Sequence, residues 1–307
     1  MIDGSALLAG VTVPLVTPMD ETGRPDAEHA TKLLAALHAA GVEKLMLLGS
    51  NGEGPLLPTS VVGPFVAGVT ARWRSLTGGG VVTVNVTAAG TLDALERASI
   101  AADAGADALV MSPPIYFHHR ADEIVAHYAA LGTVGLPVVA YNAPRYSNPL
   151  TRDLVGALLD LDHLVGIKDS SGDVEFFGDL VELAGSRAGF AVGQGAETQL
   201  DTALGLGADG IVPGVANIAP ALSVRLVAAH EAGDHDEVRR LQTLHTGLTA
   251  LHAIRRGTAG VKAVLALRNL CPPHVAPPLL PSEPAERDAL LEFVATHEDH
   301  LLREHHE

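Results

Sequence analysis

The chain has 307 residues, 47% of them hydrophobic, with a formal net charge of −16 and one cysteine. That length and apolar content can bury a large core, either as one α/β domain or as two smaller ones. The acidic balance argues against nucleic acid and anionic membrane as partners, since counterion release needs clustered Lys and Arg, and the lone Cys271 cannot close an internal disulfide. The start, Met1-Ile2-Asp3-Gly4-Ser5, lacks the cationic segment of a signal peptide. No apolar stretch approaches the ~20 residues of a membrane span. A cytoplasmic protein is expected.

In chain order, short apolar runs occupy residues 11–17, 44–48, 81–86, 107–111, 137–141, 164–168, 190–193 and 209–213. Helical segments between them include 26–40, 91–104, 122–131, 151–159, 173–184 and 197–206. Several of these close on Gly41, Gly105 or Gly207, where glycine can serve as the left-handed helix cap. Apolar runs buried on both faces and alternating with helices imply parallel βαβ units. Eight such units favour a closed (β/α)₈ TIM barrel, although periodicity by itself leaves a doubly wound sheet open. The barrel is assigned to residues 1–219, and residues 220–307 to a helical C-terminal extension packed on it. Helices are predicted there at 220–232, 234–254, 258–270 and 284–303, and Pro272, Pro273, Pro277, Pro278 and Pro281 stiffen the connection before the last one.

Barrels of this kind carry their chemistry at the C-terminal ends of the strands. Lys168, one of four lysines, ends the apolar run Leu164-Val165-Gly166-Ile167. An amine in such surroundings loses hydration of its charged form, which favours the neutral nucleophile. The plainer alternative is a lysine that snorkels outward and pairs with Asp169. The second run leads into Gly49-Ser50-Asn51-Gly52-Glu53-Gly54, which lacks the Lys-Ser/Thr pair of a P-loop. Its successive N–H groups can nevertheless hold a carboxylate or phosphate, unless the segment is only a turn with Ser50 or Asn51 as helix cap. Tyr116 and Tyr141 both fall at strand ends, either as amphipathic core aromatics or as a proton relay with Lys168. The fifteen histidines show no ligand spacing: His118 and His119 diverge, while His297, His300, His305 and His306 lie in a charged C-terminal helix or its end. No metal and no cofactor is predicted.

Taken together, Gly49-Ser50-Asn51-Gly52-Glu53, Pro114-Ile115-Tyr116, Tyr141-Asn142-Ala143-Pro144 and Gly166-Ile167-Lys168-Asp169 resemble the dihydrodipicolinate synthase / N-acetylneuraminate lyase family. The likeness extends from Val16-Thr17-Pro18-Met19 through Gly210-Ile211-Val212 and Asn217 to Val261-Lys262-Ala263. It implies metal-free class I aldolase chemistry with pyruvate as one partner, in a homotetramer built as a pair of dimers. By this resemblance Lys168 is the Schiff-base lysine, Tyr141 the proton-shuttling tyrosine and Ser50 a hydroxyl of the relay. The N–H groups of Ser50 and Asn51 should hold the 2-oxoacid carboxylate, and Tyr116 matches a relay tyrosine that in the synthases reaches the neighbouring subunit. Arg145, Glu197, Gly195 and Val212 complete the expected substrate-binding set.

Synthases usually carry a carboxylate-binding arginine two positions after the proline of Tyr-Asn-x-Pro; here that position is Tyr146, and the arginine is Arg145. Glu197 falls near a position where sialic-acid lyases bind substrate hydroxyls, whereas their serine after the eighth strand is Gly214 here. Asn51 is similar to members acting on 4-hydroxy-2-oxoglutarate or 2-oxo-3-deoxy sugar acids. The expected function is therefore a Schiff-base lyase or aldolase of that type. The alternatives are 4-hydroxy-tetrahydrodipicolinate synthase, a 2-oxo-3-deoxy sugar-acid dehydratase and a non-catalytic metabolite-binding barrel.

Overall fold

A computed structural model describes residues 3–304 and shows, among them, a closed barrel of eight parallel strands in sequential order. These are β1 (Gly10–Pro14), β2 (Lys44–Leu47), β3 (Val81–Asn85), β4 (Ala108–Met111), β5 (Val138–Asn142), β6 (Leu164–Asp169), β7 (Ala191–Gln194) and β8 (Gly210–Ile211). Closure between β8 and β1, through Gly10 with Gly210 and Val11 with Ile211, rules out the doubly wound sheet. His305 and His306 lie outside the described residues.

A short helix absent from the sequence reading, α1 (Gly4–Leu8), precedes β1. Asp3 caps it by accepting from the Ala6 N–H at 2.9 Å, and Gly4 N–H donates to Gly189 O. Leu7 and Leu8 enter the barrel interior beside Met46, Ala108, Val110, Val139, Val165 and Ala191 and fill the end opposite the C-terminal ends of the strands. The ring outside the strands comprises α2 (Thr31–Ala39), α3 (Thr59–Thr77), α4 (Thr91–Asp103), α5 (Ala121–Ala130), α6 (Arg152–Leu158), α7 (Val174–Gly185), α8 (Leu200–Leu206) and α9 (Pro220–Glu231). α9 begins just past residue 219, packs against β1, β8 and α8, and so serves as the eighth helix of the ring. Pro220 occupies its first turn, where a missing N–H costs nothing.

The extension continues as α10 (His235–Leu248), α11 (Leu251–Ile254), α12 (Thr258–Leu267) and α13 (Arg287–Thr296). It is tied to the barrel at Leu302, whose N–H donates to Ile218 O at 2.7 Å. The two apolar layers are distinct: a large one between strands and helices, and a small one inside the barrel.

β6 contains an irregularity that matters for the site. Val138 pairs with Leu164 but Val139 pairs with Gly166, so Val165 is an extra residue in β6. Leu164 faces the helices and Val165 faces the interior. Strict alternation from Val165 would then point Lys168 toward the helices. The extra residue resets the phase instead, and Lys168 comes into register with the inward-facing Tyr141.

Candidate active site

Lys168 is only 5% exposed, and its Nζ lies 4.2 Å from the centroid of the Tyr141 ring. Its neighbour Asp169 points to the other side of the barrel wall and is fully buried. There Asp169 accepts from Asn142 Nδ2 at 2.6 Å and Ser171 Oγ at 2.8 Å. Burial pushes the Asp169 carboxyl above its ordinary range, with those hydrogen bonds opposing the shift. Asn142 Oδ1 in turn accepts from Leu150 N–H, so the outward pair Asn142 and Asp169 holds β5, β6 and the loop after β5 together. Lys168 therefore neither snorkels outward nor pairs with Asp169, and no salt bridge among the described residues engages it.

Tyr141 is buried at the end of β5, and its Oη lies 3.3 Å from Ser50 Oγ. Burial alone would raise the phenol. The Lys168 charge and hydrogen bonds with Ser50, Ser170 and Lys168 outweigh burial and hold it below its ordinary value. A phenol so placed can both give and take a proton beside the amine. Ser170 was not singled out from the sequence; its only signal there is its position two residues after Lys168.

Ser50 and Asn51 occupy the turn after β2. Leu48 and Glu53 both have φ of 58°, and a Cβ on Gly52 would stand 2.8 Å from Leu48 N. The chain thus doubles back so closely that glycine is required at position 52. Within the turn Glu53 N–H donates to Ser50 O and Gly54 N–H to Gly49 O. No group among the described residues accepts from the N–H of Ser50 or Asn51, as an anion-holding turn requires.

Three further expected positions are close by. Gly195 N–H donates to Asp169 O at 2.7 Å, and a Cβ there would overlap Ser170 Oγ and reach within 2.7 Å of Lys168 Cε. Glycine at 195 therefore makes room for the Lys168 stem. Val212 is buried in the barrel interior with Tyr141. Glu197 Oε1 accepts from Val215 N–H at 2.6 Å. Burial raises the Glu197 carboxyl, against the Val215 hydrogen bond and the charges of His252 and Lys168. A Cβ on Gly214 would lie 2.9 Å from both Asn51 Nδ2 and Glu197 Oε1, so these two side chains occupy the space in front of Gly214. Asn51, Glu197 and His252 come from segments distant in sequence, and no local pattern announces their approach.

A profile of the dihydrodipicolinate synthetase family matches residues 7–297. The chain belongs to this family. Among similar relatives, an uncharacterised DapA-like lyase of Halobacterium salinarum is 34% identical over 92% of each chain. A 4-hydroxy-tetrahydrodipicolinate synthase of Thermomicrobium roseum is 31% identical over 94% of this chain and 95% of its own. The crystal structure of YagE from E. coli K12, a prophage protein of the dihydrodipicolinic acid synthase family in complex with pyruvate, covers 95% of this chain and 99% of its own. Its TM-score is 0.89 at 24% identity, a likeness of fold. Dihydrodipicolinate synthetase family proteins are class I lyases, and the chain is accordingly an enzyme of that class.

Two expected residues stand apart from the Lys168 group of this family member. Tyr116 has φ of 82°, is 87% exposed and stacks edge-on against the exposed Phe117. Arg145 and Tyr146 are both exposed in the turn after β5, and no hydrogen bond or ion pair among the described residues fixes Arg145. Cys271 is buried, and burial pushes its thiol up to about 12, away from nucleophilic use. Among the described residues no three His, Cys, Asp or Glu side chains are placed to hold a metal ion, and no helix is long and apolar enough to cross a membrane.

Proposed function

We propose that the chain forms a Schiff base between Lys168 and the ketone of a 2-oxoacid and cleaves or makes the bond between its C3 and C4, with pyruvate as the three-carbon partner. The observation that carries this reading is the buried Lys168 amine, stacked over the Tyr141 ring and in no salt bridge among the described residues. In the cleavage direction the neutral amine attacks C2, and the carbinolamine loses water as Tyr141 Oη protonates the departing oxygen. The iminium draws the C3–C4 electron pair toward C2 while Tyr141 takes the proton of the C4 hydroxyl. Aldehyde leaves, the enamine is protonated at C3, and water hydrolyses the iminium to pyruvate and free Lys168. Ser50 bridges Tyr141 toward the mouth, and the Ser50 and Asn51 N–H groups hold the carboxylate.

For the acceptor end we favour a hydroxylated chain, of the 4-hydroxy-2-oxoglutarate or 2-oxo-3-deoxy sugar-acid type. The carboxamide of Asn51 and the carboxylate of Glu197 line that end and suit hydroxyl groups, whereas Arg145, the candidate for a second carboxylate, stands exposed. The exposed pair Tyr116 and Phe117 suits an assembly in which Tyr116 serves a partner subunit.

The test is borohydride reduction in the presence of pyruvate, followed by peptide mass spectrometry. A single adduct on Lys168, lost in Lys168→Ala, is expected; a protein without it would end the imine reading. A panel of 2-oxoacids ranked by kcat/KM, with product analysis, then names the acceptor. Pyruvate release is expected, and loss of water with the carbon skeleton retained would identify a dehydratase.

A further inference from the structure

The turn that carries Ser50 and Asn51 is held from behind by the C-terminal extension. Glu53, three residues after Ser50, is buried together with Lys262 of α12. Lys262 Nζ lies 2.6 Å from Glu53 Oε1 and donates to His274 O at 2.7 Å, while Glu53 Oε2 accepts from Ala276 N–H at 2.6 Å. Thr258 Oγ1, in the first turn of α12, donates to Asn51 O at 2.8 Å. From the barrel side Thr17 Oγ1 donates to Gly52 O at 2.6 Å and Asn85 Nδ2 to Leu48 O at 3.0 Å. With Gly49 O and Ser50 O taken inside the turn, every carbonyl from Leu48 to Gly52 has a donor. The peptide planes are thereby fixed, and the N–H groups of Ser50 and Asn51 are left for a ligand.

A buried ion pair is a poor device for stability alone, because apolar residues of the same volume commonly do as well. Its distinguishing property is orientation: each partner must meet the other along defined hydrogen-bond directions. Lys262 and Glu53 are, moreover, separated by most of the chain, so the pair fixes α12 relative to the end of β2. We infer that Lys262 and Thr258 are positioning residues, through which the C-terminal extension sets the carboxylate-holding geometry of the Ser50-Asn51 turn. The inference rests on the reading that this turn binds the 2-oxoacid carboxylate.

The experiment compares borohydride trapping of Lys168 by pyruvate and by acetone, which presents a ketone without a carboxylate. The variants are Thr258→Val, which keeps shape but removes one hydrogen bond, and the paired E53Q/K262M, which leaves no buried charge unpartnered. In the wild type, pyruvate should trap far more efficiently than acetone. Each variant should raise the half-saturating pyruvate concentration, about three- to tenfold for Thr258→Val as one hydrogen bond's worth. Acetone trapping should stay within about twofold, and the limiting rate at saturating pyruvate should hold. Unchanged pyruvate half-saturation in both variants, or an equal loss with pyruvate and acetone, would overturn the inference. A wild type that traps neither ketone would instead defeat the imine reading itself, and one that traps both alike would defeat carboxylate binding by the turn.

Discussion

Gly195→Ala puts one methyl group into the space that the Lys168 stem uses. The new Cβ would overlap Ser170 Oγ and stand 2.7 Å from Lys168 Cε, against ordinary carbon–carbon separations of about 3.5–4.0 Å. The backbone is held by the Gly195 N–H bond to Asp169 O, so the side chains must give way and Cε must move by on the order of 1 Å. A displacement of that size at a reacting group costs about a hundredfold in rate. The overpacking itself costs about 1–3 kcal/mol, which a domain with a typical stability of about 5–15 kcal/mol survives. Gly193→Ala, two residues earlier on β7, is the control. Its Cβ would meet Leu8 Cδ2 at 3.4 Å and Val212 Cγ2 at 3.5 Å, close to ordinary contact. The assay is the rate of Lys168 trapping with pyruvate and borohydride, alongside thermal unfolding of each variant. Gly195→Ala should fall about a hundredfold in trapping while still unfolding cooperatively, and Gly193→Ala should stay near wild type. A Gly195→Ala enzyme that traps at the wild-type rate, or a control that falls as far, would refute the reasoning.

Removing the phenol in Tyr141→Phe should slow imine formation by about 10²–10⁴ with little effect on folding, measured by single-turnover trapping; near-normal kinetics would take Tyr141 out of the relay. His245 is buried against Ser223, its Nε2 2.9 Å from Ser223 Oγ, and burial lowers its imidazole to about 4. Its folded pKa is depressed below the unfolded value of about 6.5, so unfolding takes up a proton between those values. The stability it contributes is therefore complete above about pH 6.5 and is lost as pH falls toward 4, to a total of about 3 kcal/mol. Urea titrations at pH 7 and pH 5 should show a smaller loss in His245→Gln than in the wild type, and equal losses would remove His245 as the cause.

The architecture was legible because the strands are largely buried on both faces and therefore read as mostly apolar runs, broken only by a few residues such as Thr12 and Thr83. Strand positions followed from those runs to within a few residues, as with β8, where Gly210–Ile211 forms the core of the predicted 209–213. The helix Gly4–Leu8 was not legible, since five residues are too few to display a helical period. Residues 59–77 form a long helix that went unassigned, with Gly63-Pro64 interrupting its pattern. At the site, Lys168, Tyr141, Ser50 and Gly195 came together because each occupies a strand end, a place that topology alone predicts. Asn142 and Asp169 were seen as motif letters, but their work of clasping β5 to β6 depends on which side of the wall they face. Lys262 left a local signal, a charge inside Val261-Lys262-Ala263-Val264-Leu265; its partner Glu53 could be found only once the ends of the chain were brought together.

The extra residue Val165 gives the barrel wall a parity. Were β6 to alternate strictly through Val165, with no bulge to absorb it, the same strand would offer the pocket a carboxylate from Asp169 and turn the Lys168 amine toward the surrounding helices. Amino-acid composition would be almost unchanged, yet a nucleophile would have been exchanged for an anion. Reaction class is thus written here in the phase of a strand as much as in its letters. Loss of Ile167, downstream of the bulge, would set Lys168 opposite the outward-facing Ala140 and turn the amine out of the pocket, whereas loss of Val165 itself would only straighten β6 and leave Lys168 opposite Tyr141.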